Sequence, residues 1–135
     1  QNGRFVLDDA AFLAMPTDTC LIDADSGRVV VAKLALATTF WQRFRGLQFR
    51  TALPPGEGLL IPSCRSIHTC RMRFAIDAVM LDGEGVVLAI HRLVKPWRMV
   101  FGPRGTQSVL EVTAGTLPDG LEIGDCLQVA PPRGG

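Results

Sequence analysis

Residues 74–90 read FAIDAVMLDGEGVVLAI and give the clearest indication of the fold. Residues 74–81 are apolar apart from Asp77, residues 86–90 are wholly apolar, and a short turn sequence, DGEG, joins the two runs. Two apolar runs joined by so short a turn predict an antiparallel β-hairpin. Asp77 then lies inside an otherwise apolar strand, where a carboxylate requires a partner.

Similar short apolar runs recur along the chain, separated by turns rich in Gly and Pro. Residues 20–24 and 28–37 flank the turn Asp25-Ser26-Gly27, which predicts a second hairpin. Such spacing is typical of a fold that is mainly β. Further strands are predicted at residues 58–62, 108–113 and 126–130.

One segment has helical spacing instead. Residues 38–50, TTFWQRFRGLQFR, place Phe40, Phe44 and Leu47 on one face, which predicts a short helix. Residues 63–73 and 94–105 have no clear period and are predicted to form loops, the second of them carrying Trp97 and Arg98.

Length and composition favour one globular unit. The 135 residues are 47% hydrophobic and 20% charged, enough apolar content for a compact core. No internal repeat or linker divides the chain, so we expect a single domain over residues 1–135. The Pro- and Gly-rich tail at residues 131–135 is predicted to be poorly ordered.

Composition also bears on location. There is no run of about 18 apolar residues, so we expect no transmembrane helix and no stable membrane insertion. Free thiols in a reducing cytoplasm are the simplest interpretation of four scattered cysteines. The chain opens at Gln1 without an initiator Met, which leaves a removed export signal as the alternative.

Positive charge is concentrated in the middle of the chain. Residues 43–104 contain ten Lys or Arg against four Asp or Glu, whereas the flanks contain four against nine. Nine of the ten are Arg, which suits bidentate contacts to carboxylate or phosphate, so we expect an anionic ligand if these residues converge. The alternative is arginines scattered in solvent. Nucleic acid is not expected, because the net charge is only +1 and no aromatic stripe accompanies the arginines.

Reactive side chains cluster in residues 63–82, SCRSIHTCRMRFAIDAVMLD. Cys64, His68 and Cys70 are candidate zinc ligands, with His91 or Cys20 as a fourth, but their spacing matches no standard zinc site. We therefore expect no metal and no cofactor.

Two further functions remain for this cluster. A hydrolase-like or thiol-dependent enzyme would use His68 with Cys70 or Asp77. A binding module needs no catalytic geometry and uses the charge asymmetry directly, so we favour it. Its predicted ligand-binding residues are His68, Thr69, Arg71, Arg73, Trp97 and Arg98.

A structural role is the remaining alternative. Isolated acids in apolar strands usually need a partner, so Arg50, Asp77 and Glu111 are predicted to form an ion network that ties the helix to the sheet. The chain would then be purely a structural or interaction domain.

An ordered series of motifs resembles the domain of unknown function family 192, over about residues 33–129. The resemblance implies a single compact antiparallel β-barrel-like domain with one or two short helices, mainly β and α+β at the margin, found in bacteria and archaea, with no assigned activity. Many members carry Asn-Thr where this chain has His68-Thr69, which argues against proton transfer by His68. The motifs are GLQFR, GEGLLI, SIHTCRMRFAIDAVMLDGEGVVL, VKPWR, VLEVTAGT and EIGD.

Within the resemblance, three elements of the family pattern are matched. The strand Asp is Asp77. The G-L-x-x-R element corresponds to Gly46, Leu47 and Arg50, and the L-E-x-x-x-G element to Leu110, Glu111 and Gly115.

Overall fold

The computed structural model of the protein describes residues 19–36, 56–69 and 73–131. Within these ranges the chain forms ten strands and no helix, hence none that could cross a membrane. The predicted helix, most of the predicted tail, and Arg50, Cys70 and Arg71 lie outside the described residues. The strands are β1 (Cys20–Asp23), β2 (Val29–Val31), β3 (Lys33–Leu36), β4 (Glu57–Pro62), β5 (Ser66–His68), β6 (Ile76–Leu81), β7 (Val87–Val94), β8 (Met99–Phe101), β9 (Ser108–Thr113) and β10 (Leu127–Ala130).

The largest sheet has five strands in the order β3, β4, β9, β6 and β7. β6 and β7 pair antiparallel, with Val79 opposite Ile90, which confirms the hairpin predicted from residues 74–90. β9 pairs with the other edge of β6, and all six residues of β6 are buried. A strand covered on both faces favours a continuous apolar sequence, because neither face contacts water.

Each face of this sheet has its own core, because side chains alternate along a strand. On one face, Val79 packs in a cluster with Leu21 of the three-stranded sheet β10-β1-β2, and we call this the first core. On the other face, Met80 packs in a cluster with Ile67 of β5 and Val100 of β8, and we call this the second core. The five-stranded sheet is therefore the middle of three layers.

The mainly β prediction is confirmed, but the described strands form three sheets and not one closed antiparallel barrel. β3 and β4 are parallel. The strand predicted at residues 28–37 is interrupted at the exposed bend residue Ala32, so that β2 and β3 belong to different sheets. One apolar run therefore serves two layers, a common way for a chain to turn a corner between packed sheets.

The two predicted loops at residues 63–73 and 94–105 each contain a short strand. β5 and β8 pair antiparallel, with Ile67 opposite Val100, and form a two-stranded sheet over the second core. Three residues are too few to show a period in the sequence, so these strands could be recognised only by their pairing.

Gly85, in the turn between β6 and β7, lies in close contact with the backbone of β10. Its φ is +88°, and a Cβ there would lie 2.3 Å from the carbonyl oxygen of Leu127. We expect Gly85→Ala to lower the free energy of unfolding by about 3–5 kcal/mol, measured by urea denaturation. Gly124→Ala is the matched control, because its φ is +99° with no heavy atom of the described residues within 4 Å. Gly124→Ala should lower the free energy of unfolding by about 1–2 kcal/mol, the cost of the left-handed backbone alone. Equal losses in the two variants would show that the contact between residue 85 and Leu127 contributes nothing.

Candidate ligand-binding groove

Asp77 is an almost completely buried acid of β6, with 2% of its surface exposed. Its carboxylate accepts hydrogen bonds from the backbone N–H of Leu93 at 2.8 Å and of Gly115 at 3.0 Å. Arg92 Nη1 lies 3.7 Å from the same carboxylate, but its side chain is half-exposed. The two backbone donors are therefore the main partners that this buried charge requires.

The hydrogen bond to Leu93 fixes a β-bulge in β7. The register of β6 and β7 shifts here, so that Arg92 and Leu93 together face Asp77. Leu93 has a φ of +56°, a left-handed conformation that is rare for a bulky residue. Asp77 thus determines where β7 bends and how the side chain of Leu93 is presented.

Thr69 holds the connection between β7 and β8. It is fully buried, and its hydroxyl donates to the carbonyl of Lys95 at 2.7 Å and accepts from the N–H of Arg98 at 2.8 Å. Its backbone carbonyl also accepts from the N–H of Trp97, whose φ is +66°. The sequence predicted Thr69 at the ligand, whereas the structure places its hydroxyl within the fold, where it positions residues 95–98.

A groove of about 600 Å³ lies beside this fixed segment, between β7 and β8. Arg92, Lys95 and Arg98 line it, together with His91, and the lining includes no described Asp or Glu. We call this the basic groove. The remaining lining is apolar: Ile90, Leu93, Val94, Met99 and Val100.

The backbone of the basic groove is held from both ends. Asp77 fixes it at Leu93, and Thr69 fixes it from Lys95 to Arg98. Cationic side chains on a fixed backbone lose less conformational freedom when a ligand binds, which favours affinity. The arrangement can therefore present positive charge to an anion without rearranging the chain.

Four of the predicted ligand residues are brought close together, and of these Arg98 lines the basic groove. Thr69 contacts the backbone of Trp97 and Arg98, and His68 lies directly opposite Met99 in the β5–β8 pair. His68, Trp97 and Arg98 are exposed.

The remaining two predicted residues do not add to this group. Arg73 is exposed but is not among the residues that line the basic groove. Arg71 lies outside the described residues.

Sequence reasoning missed part of the lining. Arg92 and Lys95 were counted in the positive central segment but were not assigned to a site, and Leu93 and Met99 were not singled out. A usable signal was the recurrence of large side chains at odd positions from residue 93 to 101, which the Pro and Gly residues of this segment obscured.

The geometry does not favour the enzyme alternatives. Because side chains alternate along β6, Asp77 projects from the face of the first core, whereas β5 and His68 belong to the layer over the second core. The thiol of Cys64 donates to the carbonyl of Ser66 at 2.9 Å, and Cys70 is not among the described residues.

No three His, Cys, Asp or Glu residues within the described ranges lie close enough together to hold a metal.

Glu111 is a second buried acid, and its side chain projects from the face of the five-stranded sheet opposite to that of Asp77. It lies opposite Ala78 in β6, and Ala78 lies opposite His91 in β7, so Glu111 and His91 project from the same face of the sheet. Burial raises the pKa of the Glu111 carboxyl from 4.5 to about 7. Asp77 and Glu111 therefore project from opposite faces of the sheet, and the described cation near Asp77 is Arg92. Arg50, the third member of the predicted network, lies outside the described residues, so the network stays a prediction.

The importance of the Asp77 hydrogen bonds can be separated from that of its ion pair. We expect Asp77→Ala to lower the free energy of unfolding by about 3 kcal/mol, because two backbone donors lose a charged acceptor. Arg92→Ala should cost less than about 1 kcal/mol, since the pair is half-exposed. Urea denaturation of both variants checks this, and equal costs would show that the ion pair is the dominant contact.

Glu111 makes stability depend on pH. Below about pH 4.5 the carboxyl is protonated in both folded and unfolded chains; between 4.5 and 7 it is protonated only in the folded chain. The free energy of unfolding should therefore fall by up to about 3 kcal/mol as the pH rises through this window, and then level off. Urea denaturation across the window should show this slope in the wild type and in Glu84→Gln, an exposed control. Glu111→Gln should flatten it, and an unchanged slope would contradict the assignment.

Comparison with known proteins supports the resemblance in the sequence. The family model DUF192, described as "Uncharacterized ACR", matches residues 21–129. A relative from Thermococcus sibiricus named UPF0127 protein is 31% identical over 110 residues, which cover 78% of this chain and 71% of the relative.

Two solved structures share the fold. A crystal structure from Sinorhizobium meliloti, described as a "putative transcription regulator", has a TM-score of 0.71 at 25% identity and covers 82% of this chain and 91% of its own. A protein of unknown function from Novosphingobium aromaticivorans has a TM-score of 0.69 at 24% identity and covers 82% of each chain. With most of its length matched by the family model, the chain belongs to the uncharacterised DUF192 family.

Proposed function

We propose that this protein is a binding module that holds a small anionic ligand in the basic groove. The observation that carries the proposal is a lining with Arg92, Lys95, Arg98 and His91 and no described acid. Clustered cations attract anions, and the guanidinium groups can form bidentate contacts with carboxylate or phosphate.

The three cations differ in how free they are to bind. Arg92 lies 3.7 Å from the carboxylate of Asp77, which offsets part of its charge. Arg98 is exposed, and its Nη1 contacts only the carbonyl of Trp97 at 3.4 Å within the described residues. Lys95 is also exposed. Lys95 and Arg98 are therefore the residues that we assign to the ligand.

His91 lines the groove but does not offer its Nε2 to a ligand. Its Nε2 is enclosed and has no hydrogen-bond partner among the described residues. This atom is enclosed by the fold and does not face the open groove, so His91 is not assigned to the ligand. The apolar walls at Leu93 and Met99 favour an anion that also carries a hydrocarbon or ring portion.

Nucleic acid is the competing ligand that the description of the Sinorhizobium meliloti structure raises. Three clustered cations are few compared with the roughly 6–10 phosphate contacts typical of DNA-binding proteins. The groove is also too small for a duplex, whose recognition usually requires a helix or strand that enters a DNA groove. We therefore favour the small ligand.

Thermal unfolding with added phosphate, sulfate, nucleotides, dicarboxylates and a short DNA duplex tests the proposal. At least one small anion should raise the unfolding temperature increasingly with its concentration. Lys95→Ala and Arg98→Ala should each raise its dissociation constant about tenfold, because a charge-assisted contact is lost.

Arg104→Ala is the matched control, since Arg104 is an exposed arginine that does not line the groove. It should leave the dissociation constant unchanged. No stabilisation by any small anion, or an equal effect of Arg104→Ala, would refute the proposal, and stabilisation by the duplex alone would favour nucleic acid.

A further inference from the structure

Large apolar side chains are concentrated in one exposed segment beside the basic groove. Leu93, Trp97, Met99 and Phe101 are 61%, 65%, 62% and 67% exposed, and Ile123 is the one comparable residue elsewhere in the described ranges. We call the four the apolar rim. Exposed apolar residues are ordinary when scattered singly, but four within nine residues mark a contact surface.

Two residues of the apolar rim have a strained backbone. Leu93 and Trp97 both have left-handed backbones, which are unfavourable for bulky side chains, and the buried Asp77 and Thr69 bind the backbone at these two positions. Glycine would adopt the same backbone without strain. Large apolar residues at both positions are therefore hard to explain by stability and point to a role in contact.

β8 presents the other half of the rim. Val100 points inward and packs against the second core, so its neighbours Met99 and Phe101 project from the outer surface of the β5–β8 sheet. On β5, His68 and Ser66 lie opposite them. Met99 and Phe101 therefore share the outer face of this sheet with the small or polar side chains of Ser66 and His68.

Positive charge surrounds the apolar rim. Residues 85–110 contain no Asp or Glu, and Arg92, Lys95 and Arg98 alternate with the rim residues along the chain. Exposed Trp, Phe and Leu beside Lys and Arg are the combination that binds the interface of an anionic membrane, where rings enter the headgroup region and cations meet phosphates. Each rim side chain is individually exposed, which suits a fluid surface that can close around it.

We propose that the apolar rim docks the protein on an anionic lipid surface without crossing it. The four side chains enter the headgroup region, while Lys95 and Arg98 contact lipid phosphates. This goes beyond the proposed binding of a small anion, which requires the cations but not the exposed Trp97 and Phe101.

Vesicle flotation of the full chain tests the docking. We expect binding to vesicles of equal phosphatidylglycerol and phosphatidylcholine, and little binding to phosphatidylcholine alone. The chain has two tryptophans, so a Trp41→Phe background isolates Trp97. In that background, emission should shift to the blue on binding and be quenched by brominated lipid, because the ring enters the interface.

Trp97→Gly and Leu93→Gly separate docking from folding. Each should weaken vesicle binding at least about tenfold, yet leave the thermal midpoint unchanged or higher because glycine relieves the strained backbone. Trp97→Gly, whose side chain does not line the basic groove, should retain the stabilisation by a small anion, which distinguishes this proposal from the proposed function. Ile123→Ser is the matched control and should bind vesicles as the wild type does, since Ile123 lies outside the rim.

Three results would overturn the docking. The first is no binding to anionic vesicles, and the second is equal binding by wild type and Trp97→Gly. The third is a concentration-dependent dimer in sedimentation that Trp97→Gly abolishes, because the rim would then be covered by a second copy of this chain.

Discussion

A carboxylate buried in the central strand requires hydrogen-bond donors, and the surrounding structure of this protein supplies them. Asp77 lies in β6 between β9 and β7 and is only 2% exposed, so its two oxygens must be satisfied within the fold. Leu93 and Gly115 provide the donors, one from each neighbouring segment. The bulge in β7 and the turn after β9 are therefore tied to the same acid.

Thr69 fixes the backbone of residues 95–98, as Asp77 fixes the bulge in β7. Its hydroxyl and backbone bind Lys95, Trp97 and Arg98, so that residues 93–98 are held from two sides by buried polar groups. Buried hydrogen bonds are costly to break, and these two sets fix a segment that contains unfavourable left-handed residues. The result is a rigid surface with both positive charge and exposed apolar side chains.

The layers explain why this surface can vary independently of the core. The first and second cores lie on opposite faces of the five-stranded sheet, and the two-stranded sheet β5–β8 covers the second. The exposed cations of the groove and the side chains of the apolar rim lie beside that cover and belong to neither core. Substitutions at Lys95, Arg98 or Trp97 are therefore expected to change contacts with ligands more than stability.

Local properties of the sequence predicted the longer strands, the β6–β7 hairpin and the need of Asp77 for a partner, because apolar periodicity, turn residues and the cost of a buried charge are all local. The sequence also predicted a ligand site near His68, Trp97 and Arg98, which stays a prediction. The remaining features depend on contacts between distant parts of the chain. β5 and β8 are too short to show a period, the division at Ala32 depends on which sheet each half joins, and Asp77 is satisfied by backbone groups 16 and 38 residues away. Those pairings arise from long-range packing, which no local pattern of residues records.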